Sequence, residues 1–338
     1  MRRTPSALVA VLALAAATLA GCTADAGDPG AAQDPAASPA ATETGTDEPS
    51  IDEIAVTYVT APLNVPSITE REIGAFADAF AADGIDVTYS ELTTGPEQTA
   101  ALASGDIQFL FAVGATSVIL SAANGADIAI VDMYSRSPEA FMLVSGPDGP
   151  TSPADLAGLT IAGPKGTILH ELLLAYLASG GLTAADVNLV DMKIPDAQAA
   201  LAGGSVDVAL LAGPAAANML ADGFVKVTDG TGLVGATIVV ATSRAFADEH
   251  PDVVRTFVQA HHDVLAYMAA NPDEVLAMAA AETGLPEESV RDMYAMYDFS
   301  LDVTDADLAA MEATQEFMLA NQMIEEPVDI PGLVLDLG

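Results

Sequence analysis

The stretch GPKGTILHELLLAYL, Gly163–Leu177, joins a short apolar strand ending at Ala162 to an amphipathic helix through glycines. The first turn of a helix leaves backbone N–H groups without intrahelical partners and carries partial positive charge, so a turn of this kind is built to receive a polar or anionic group. Alone it is half of a clamp. A counterpart lies upstream: AALASGDIQFLFAVGA (Ala100–Ala115) is echoed by AALAGGSVDVALLAGP (Ala199–Pro214). In each copy a small-residue helix ends at glycine, a short apolar strand follows, and a glycine with a small neighbour opens the next helix. The echo predicts two similar α/β lobes that face each other.

Working outward, Ile54–Thr60 reads as a buried strand, and Ile73, Phe76, Ala77 and Phe80 mark one helix that stops at Gly84. Strands at Val87–Leu92, Ile128–Met133 and Ala140–Ser145 alternate with helices, which argues for parallel α/β layers with the ligand beyond the carboxyl ends of the strands. After the Gly146–Pro150 break the alternation restarts and runs to Gly232–Gly235. Crossings near Val144–Pro147 and Gly232–Gly235 would form a two-segment hinge. From Pro251 onward only helices are expected, with Val254, Phe257, Val258, His261, Leu265 and Met268 on one face as scaffold for the first lobe. The domains read as 1–21 export signal, 22–50 tether, 51–145 with 236–338 as lobe I, and 146–235 as lobe II.

The 338 residues carry 48 Asp and Glu against 10 Lys and Arg, a formal net charge of −38. No basic face for nucleic acid can be assembled from such a chain. The start, MRRTPSALVAVLALAAATLAGC, has a basic segment and an apolar run too short to span a bilayer, the order of an export signal. Leu19-Ala20-Gly21-Cys22 looks like a lipoprotein-signal box with Cys22 as the lipidated residue, and Cys22 is the only cysteine in the chain. A sole thiol excludes internal disulfides and thiolate metal sites elsewhere. Thr23–Ser50, rich in Ala, Thr, Pro and acids, reads as a disordered tether. The expected location is extracytoplasmic, lipid-anchored to the outer face of the cell membrane.

Four segments together resemble the substrate-binding proteins of ABC importers for sulfonates, nitrate, taurine and thiamine-pyrimidine precursors. They are ITEREIGAFADAFAADGIDVTYSELTTGPEQTAALASGDIQFLFAVGATSVILSAANG, PADLAGLTIAGPKGTILHELLLAYLASGGLTAADVNLVDM, AALAGGSVDVALL and SRAFADEHPDVVRTFVQAHHDVLAYMAANPDE. The likeness covers Ile54 to Glu274. It implies an α/β, type II periplasmic-binding fold: two parallel-sheet lobes, a two-segment hinge and a C-terminal helical extension. It also implies a monomer without catalysis or cofactor that hands a small solute to ABC permease and ATPase subunits. Many sulfonate and nitrate members carry tryptophan where this chain has Ala212, and the chain has no tryptophan at all.

Carried over from that resemblance, the ligand cleft falls on Leu63, Asn64, Thr94, Gly114, Ala115, Thr116, Tyr134, Arg136, Thr167, His170, Gly213 and Thr237. The residues themselves leave alternatives open. Gly114 and Gly213 are also ordinary turn residues, and Thr116 and Thr167 are also helix caps. Arg136 is either a bidentate partner for a carboxylate or sulfonate, or half of a surface ion pair. His170 reads as a packed or capping histidine, and Lys165 as a solvent-facing lysine. His261-His262-Asp263 lacks metal spacing, because adjacent helix positions face different ways.

Two rivals remain. An enzyme on the same fold would resemble the pyrimidine-synthesising relatives, whose cysteine-rich motif is missing, and Lys165-Gly166-Thr167 has the wrong order for a phosphate loop. A sensor lobe would be expected to carry its own spanning helix, and no stretch after Cys22 approaches ~18 uninterrupted apolar residues.

Overall fold

The computed structural model describes residues 51–59 and 63–337. The export signal, Cys22 and the 22–50 tether lie outside the described residues.

Strand β1 (Glu53–Tyr58) leads to helices α1 (Val65–Ile73) and α2 (Ala75–Phe80). The single helix expected here is split at Gly74, whose left-handed backbone (φ 69°) ends α1 and turns its N–H onto Glu70 O at 2.8 Å. Then come β2 (Asp86–Glu91), α3 (Gly95–Ser104), β3 (Leu110–Gly114), α4 (Ala115–Ala123) and β4 (Ala129–Arg136). The second run comprises β5 (Phe141–Ser145), β6 (Thr160–Gly163), α5 (Ile168–Ser179), β7 (Asn188–Asp191), α6 (Ile194–Ala202), β8 (Val208–Ala212), α7 (Gly213–Ala221) and β9 (Val225–Asp229). Hydropathy misses β9 because it is an edge strand, VKVTD, with only two apolar residues and none fully buried. Strand β10 (Thr237–Thr242) precedes α8 (Arg244–Glu249), α9 (Pro251–Ala270), α10 (Pro272–Thr283), α11 (Glu287–Tyr294), α12 (Asp305–Ala320) and α13 (Ile330–Leu333).

The strands form two sheets of matching plan. In the first, β2 and β1 pair in parallel, a bridge from Val56 to Phe109 joins them to the β3 side, and the order continues β3-β10-β4. In the second the order is β7-β6-β8-β5-β9. Each sheet is therefore mixed, not parallel as the alternation implied: β10 runs antiparallel to β3 and β4, and β5 runs antiparallel to β8 and β9. The reason is topological. The fourth strand of each sheet arrives from the other sheet and runs back against its neighbours.

This exchange also moves the first crossing. β5 pairs with β8 along its whole length, Phe141 opposite Ala212 and Ser145 opposite Val208, so the chain changes sheets at residues 137–140 and not at Val144–Pro147. The return crossing lies between β9 and β10 and contains Gly232–Gly235.

The C-terminal helices pack on the first sheet. Helix α9 buries Val254, Phe257, Ala260, His261, Val264 and Met268; Val258 and Leu265, expected on that face, are only partly buried. Phe257 stacks on Phe109 with ring centroids 3.9 Å apart and lies 4.3 Å from Phe76. Truncating a ring in such a position costs ~3–5 kcal/mol. No helix of the described residues is long and apolar enough to cross a membrane.

Candidate functional site

Five helix starts of the described residues converge on one cavity of about 70 Å³ between the two sheets. Asn64 opens α1, Thr94 and Gly95 open α3, Gly114 and Ser117 belong to the start of α4, Thr167 and Ile168 to α5, and Ile194 to α6. They open here because each helix follows a strand whose carboxyl end points to the cleft, and each begins at a residue that tolerates the turn: Asn, Thr, Gly or a residue followed by Pro66, Pro96 or Pro195. Only the α3 start is closed by its own cap, Thr94 Oγ1 accepting from Glu97 N–H at 3.4 Å. The other four have no cap from the N-cap side chain; α1 contains Pro66 and gives its Ser67 N–H to the Tyr134 hydroxyl, whereas the first-turn N–H groups of α4, α5 and α6 have no side-chain acceptor among the described residues.

The walls are Val59, Ala112, Phe141, Leu169 and Ile238. None of the described residues lining the cavity is charged. On its rim Lys193 and Glu97 pair across the gap at 2.8 Å, and the lysine lowers the Glu97 pKa. With no charged side chain in the described lining, the helix starts supply the positive potential that meets whatever enters.

Two buried amides face this cavity incompletely satisfied. Asn64 Nδ2 donates to Val59 O at 2.8 Å and Gln98 Nε2 donates to Leu92 O at 3.0 Å, which fixes the orientation of both amides. Their oxygens, Asn64 Oδ1 and Gln98 Oε1, are buried without a partner among the described residues. Such orphaned acceptors are costly unless a ligand or water supplies a donor. Ala112 sits at φ 77°, unusual for a non-glycine residue, where the pairing of β3 with β10 slips by one residue.

Of the residues singled out in the sequence, the structure brings Asn64, Thr94, Gly114 and Thr167 to the cavity. The loop before α5 is held in place: Thr167 Oγ1 donates to Pro164 O at 2.8 Å, and Ser117 Oγ donates across to Gly166 O at 2.7 Å. His170 stands behind that loop, its Nδ1 accepting from Gly166 N–H at 3.2 Å. Burial, with help from Lys165, lowers the His170 pKa, so it is a neutral cap and not part of the lining.

The others lie elsewhere. Leu63 and Ala115 are core residues, and Thr237 is buried in β10 beside the lining residue Ile238. Tyr134 is buried under the first sheet, where its hydroxyl accepts from Ser67 N–H at 3.1 Å. Thr116 donates to Glu171 at 2.6 Å. Arg136 is turned to the C-terminal helices, with Nε 2.6 Å from Asp307 Oδ1 and Nη2 2.8 Å from Asp302 O. Gly213 is the sharpest correction: it lines a separate cavity of about 190 Å³ with Met142, Leu220, Met293 and Tyr297. Phe141, paired with Ala212, stands on the cleft side of β8 in its place. The adjacent His261 and His262 do converge, on Asp132 Oδ2 at 2.9 and 3.0 Å, because one uses Nδ1 and the other reaches with Nε2.

Sequence reasoning missed Gln98, Ser117, Phe141 and Ile168. For Ser117 and Gln98 the signal was present, a polar residue in the first turn of a helix that opens at glycine. For Phe141 there was none, since its position depends on the strand exchange.

The two sheets with exchanged fourth strands and a cavity between them define a periplasmic-binding-protein fold. The alkanesulfonate-binding protein SsuA from Xanthomonas axonopodis pv. citri, solved bound to MOPS, superposes with a TM-score of 0.76 at 23% identity, over 85% of this chain and 99% of that one. Residues 77–275 match the NMT1/THI5-like family, and the chain belongs to it. A putative aliphatic sulfonates-binding protein of Escherichia coli K12 is 27% identical over 252 residues, 72% of this chain and 77% of that protein. The taurine-binding periplasmic protein of the same organism is 30% identical over 216 residues, 61% and 67% of the two chains.

Proposed function

We propose that this protein is an extracytoplasmic solute-binding protein that captures a small sulfonate between its two lobes and delivers it to an ABC importer permease. The observation that carries this reading is the convergence of five helix starts, three of them (α4, α5 and α6) without a side-chain acceptor among the described residues, on a cavity lined by no charged described residue. Peptide N–H groups there can take the three oxygens of a sulfonate without a counter-ion from a side chain. The names of the two Escherichia coli relatives point the same way.

The orphaned oxygens of Asn64 and Gln98 refine the class to a sulfonate that also bears a hydrogen-bond donor, as an aminosulfonate does. Lobe I then comprises the first sheet with the C-terminal helices, lobe II the second sheet, and residues 137–140 and 230–236 are the hinge. Lipidation of Cys22 would hold the pair of lobes at the outer face of the membrane through residues 22–50. Closure on the solute requires contacts from both lobes, here Asn64, Gln98 and Ser117 from one and Thr167 and Ile168 from the other.

Isothermal titration of the purified protein with taurine, ethanesulfonate and ethanolamine tests this. Taurine should bind best, ethanesulfonate more weakly by about tenfold for the lost donor, and ethanolamine not at all. Binding of the amine without the sulfonates would overturn the assignment.

A further inference from the structure

Glu171 sits on α5, in the second lobe, and is buried with 4% of its surface exposed. The only hydrogen-bond partners of its carboxyl group among the described residues are hydroxyls of elements packed on the first sheet: Thr116 Oγ1 of α4 at 2.6 Å from Oε2 and Thr314 Oγ1 of α12 at 2.8 Å from Oε1. Beside it is a cavity of about 290 Å³ behind the return crossing. The rest of that cavity is uncharged: Ala175 of its own helix, Gly232–Gly235 of the crossing, and Ala310, Ala313 and Phe317 of α12. No cation answers the carboxyl from the described elements packed against it: α4 carries no charged residue, and the titratable groups of α12 are all acids, Asp305, Asp307, Glu312 and Glu316. Enclosure of this kind without a cation disfavours the carboxylate relative to the protonated acid.

Resting on the two-lobe reading above, we propose that Glu171 is a positioning residue for lobe closure: it holds α5 to α4 and α12 as a protonated carboxyl group, so that capturing solute takes up a proton. When the lobes part, water reaches the carboxyl and it ionises in the ordinary range. In the closed form burial pushes its pKa up, against the two threonine hydroxyls that draw it down. A group whose pKa is higher in the closed state favours closure below that pKa. Solute affinity is therefore greatest at low pH, falls by up to tenfold per unit as pH rises between the open and closed pKa values, and then levels.

The test is titration of the full chain with taurine from pH 4.5 to 8 in two buffers of different ionisation enthalpy, which counts protons taken up. In parallel, hydrogen exchange of the ligand-free protein is followed over α4 and α5, with times scaled for intrinsic rates. The wild type should take up a proton and show stronger protection of both helices at low pH. Glu171→Gln, which keeps a group able to bond both threonines, should bind with a flat profile and show no pH-dependent protection. Thr116→Val should move the midpoint to higher pH, because a hydroxyl that favours the ionised form is gone. An unchanged slope in Glu171→Gln, or taurine binding without proton uptake by the wild type, overturns the proposal. If taurine fails to bind but the exchange pattern still follows Glu171, the solute assignment is wrong and the closure mechanism stands.

Discussion

Arg136 and Asp307 meet as two forks, Nε on Oδ1 and Nη2 on Oδ2, both at 2.6 Å. The pair ties the end of β4 to the first turn of α12, and the same carboxylate accepts from Thr304 Oγ1 at 2.7 Å, closing a capping box. A residue that looked available to a ligand is thus committed to holding the C-terminal helices on the first sheet.

Asp307→Ala is expected to lower stability by ~3 kcal/mol, because it leaves a mostly covered guanidinium unpaired and removes a cap. Burial of the Asp307 carboxyl opposes ionisation, but Arg136 and the Thr304 hydroxyl and amide outweigh it and bring the pKa to about 2. The folded pKa lies below the unfolded value, so this contribution is complete above pH ~4 and is lost as pH falls toward 2. Urea denaturation at pH 7 and pH 3 should show a smaller gap between variant and wild type at the lower pH.

Gly114→Ala tests the cleft with little change to the fold. The backbone there is extended (φ −67°), so alanine is tolerated, but its methyl would come 3.1 Å from Ile168 Cδ1 across the gap. Affinity for a bound sulfonate should drop by about tenfold while the melting temperature moves by only a degree or two. Equal loss of both would place Gly114 in the scaffold.

His261 is fully buried, stacked on Tyr134 at 5.9 Å and edge-on to Phe111 at 5.0 Å. Burial lowers its pKa, with His262 adding to that and Asp132 pulling the other way. A folded pKa below the unfolded ~6.5 means the stability it contributes is present at neutral pH and lost as pH falls. Glu70 and Glu171, raised by burial, act in the opposite sense as pH falls. The informative quantity is therefore the difference: His261→Phe should gain on the wild type in melting temperature between pH 7 and pH 5.

Ala112→Gly should stabilise the protein by about 1 kcal/mol, since glycine adopts φ 77° without the strain a Cβ imposes. Thermal denaturation measures it. Destabilisation instead would mean that the alanine methyl in the cavity wall contributes more than the strain costs.

Much of this molecule is decided by short stretches of chain. Glycine or threonine between an apolar strand and a periodic run sets where α3, α4 and α5 begin, because helix starts obey local sterics and capping, and so Thr94, Gly114 and Thr167 were legible as a group. The echo of Ala100–Ala115 in Ala199–Pro214 announced two lobes for the same reason. Tertiary structure alone decided which strand neighbours which. The exchange of β5 and β10 sends Phe141 to the cleft side of Ala212, turns Gly213 toward α11, and lets Arg136 find a carboxylate 171 residues away. Those pairings depend on the burial of distant surfaces against one another, and periodicity along one segment carries no record of its partner.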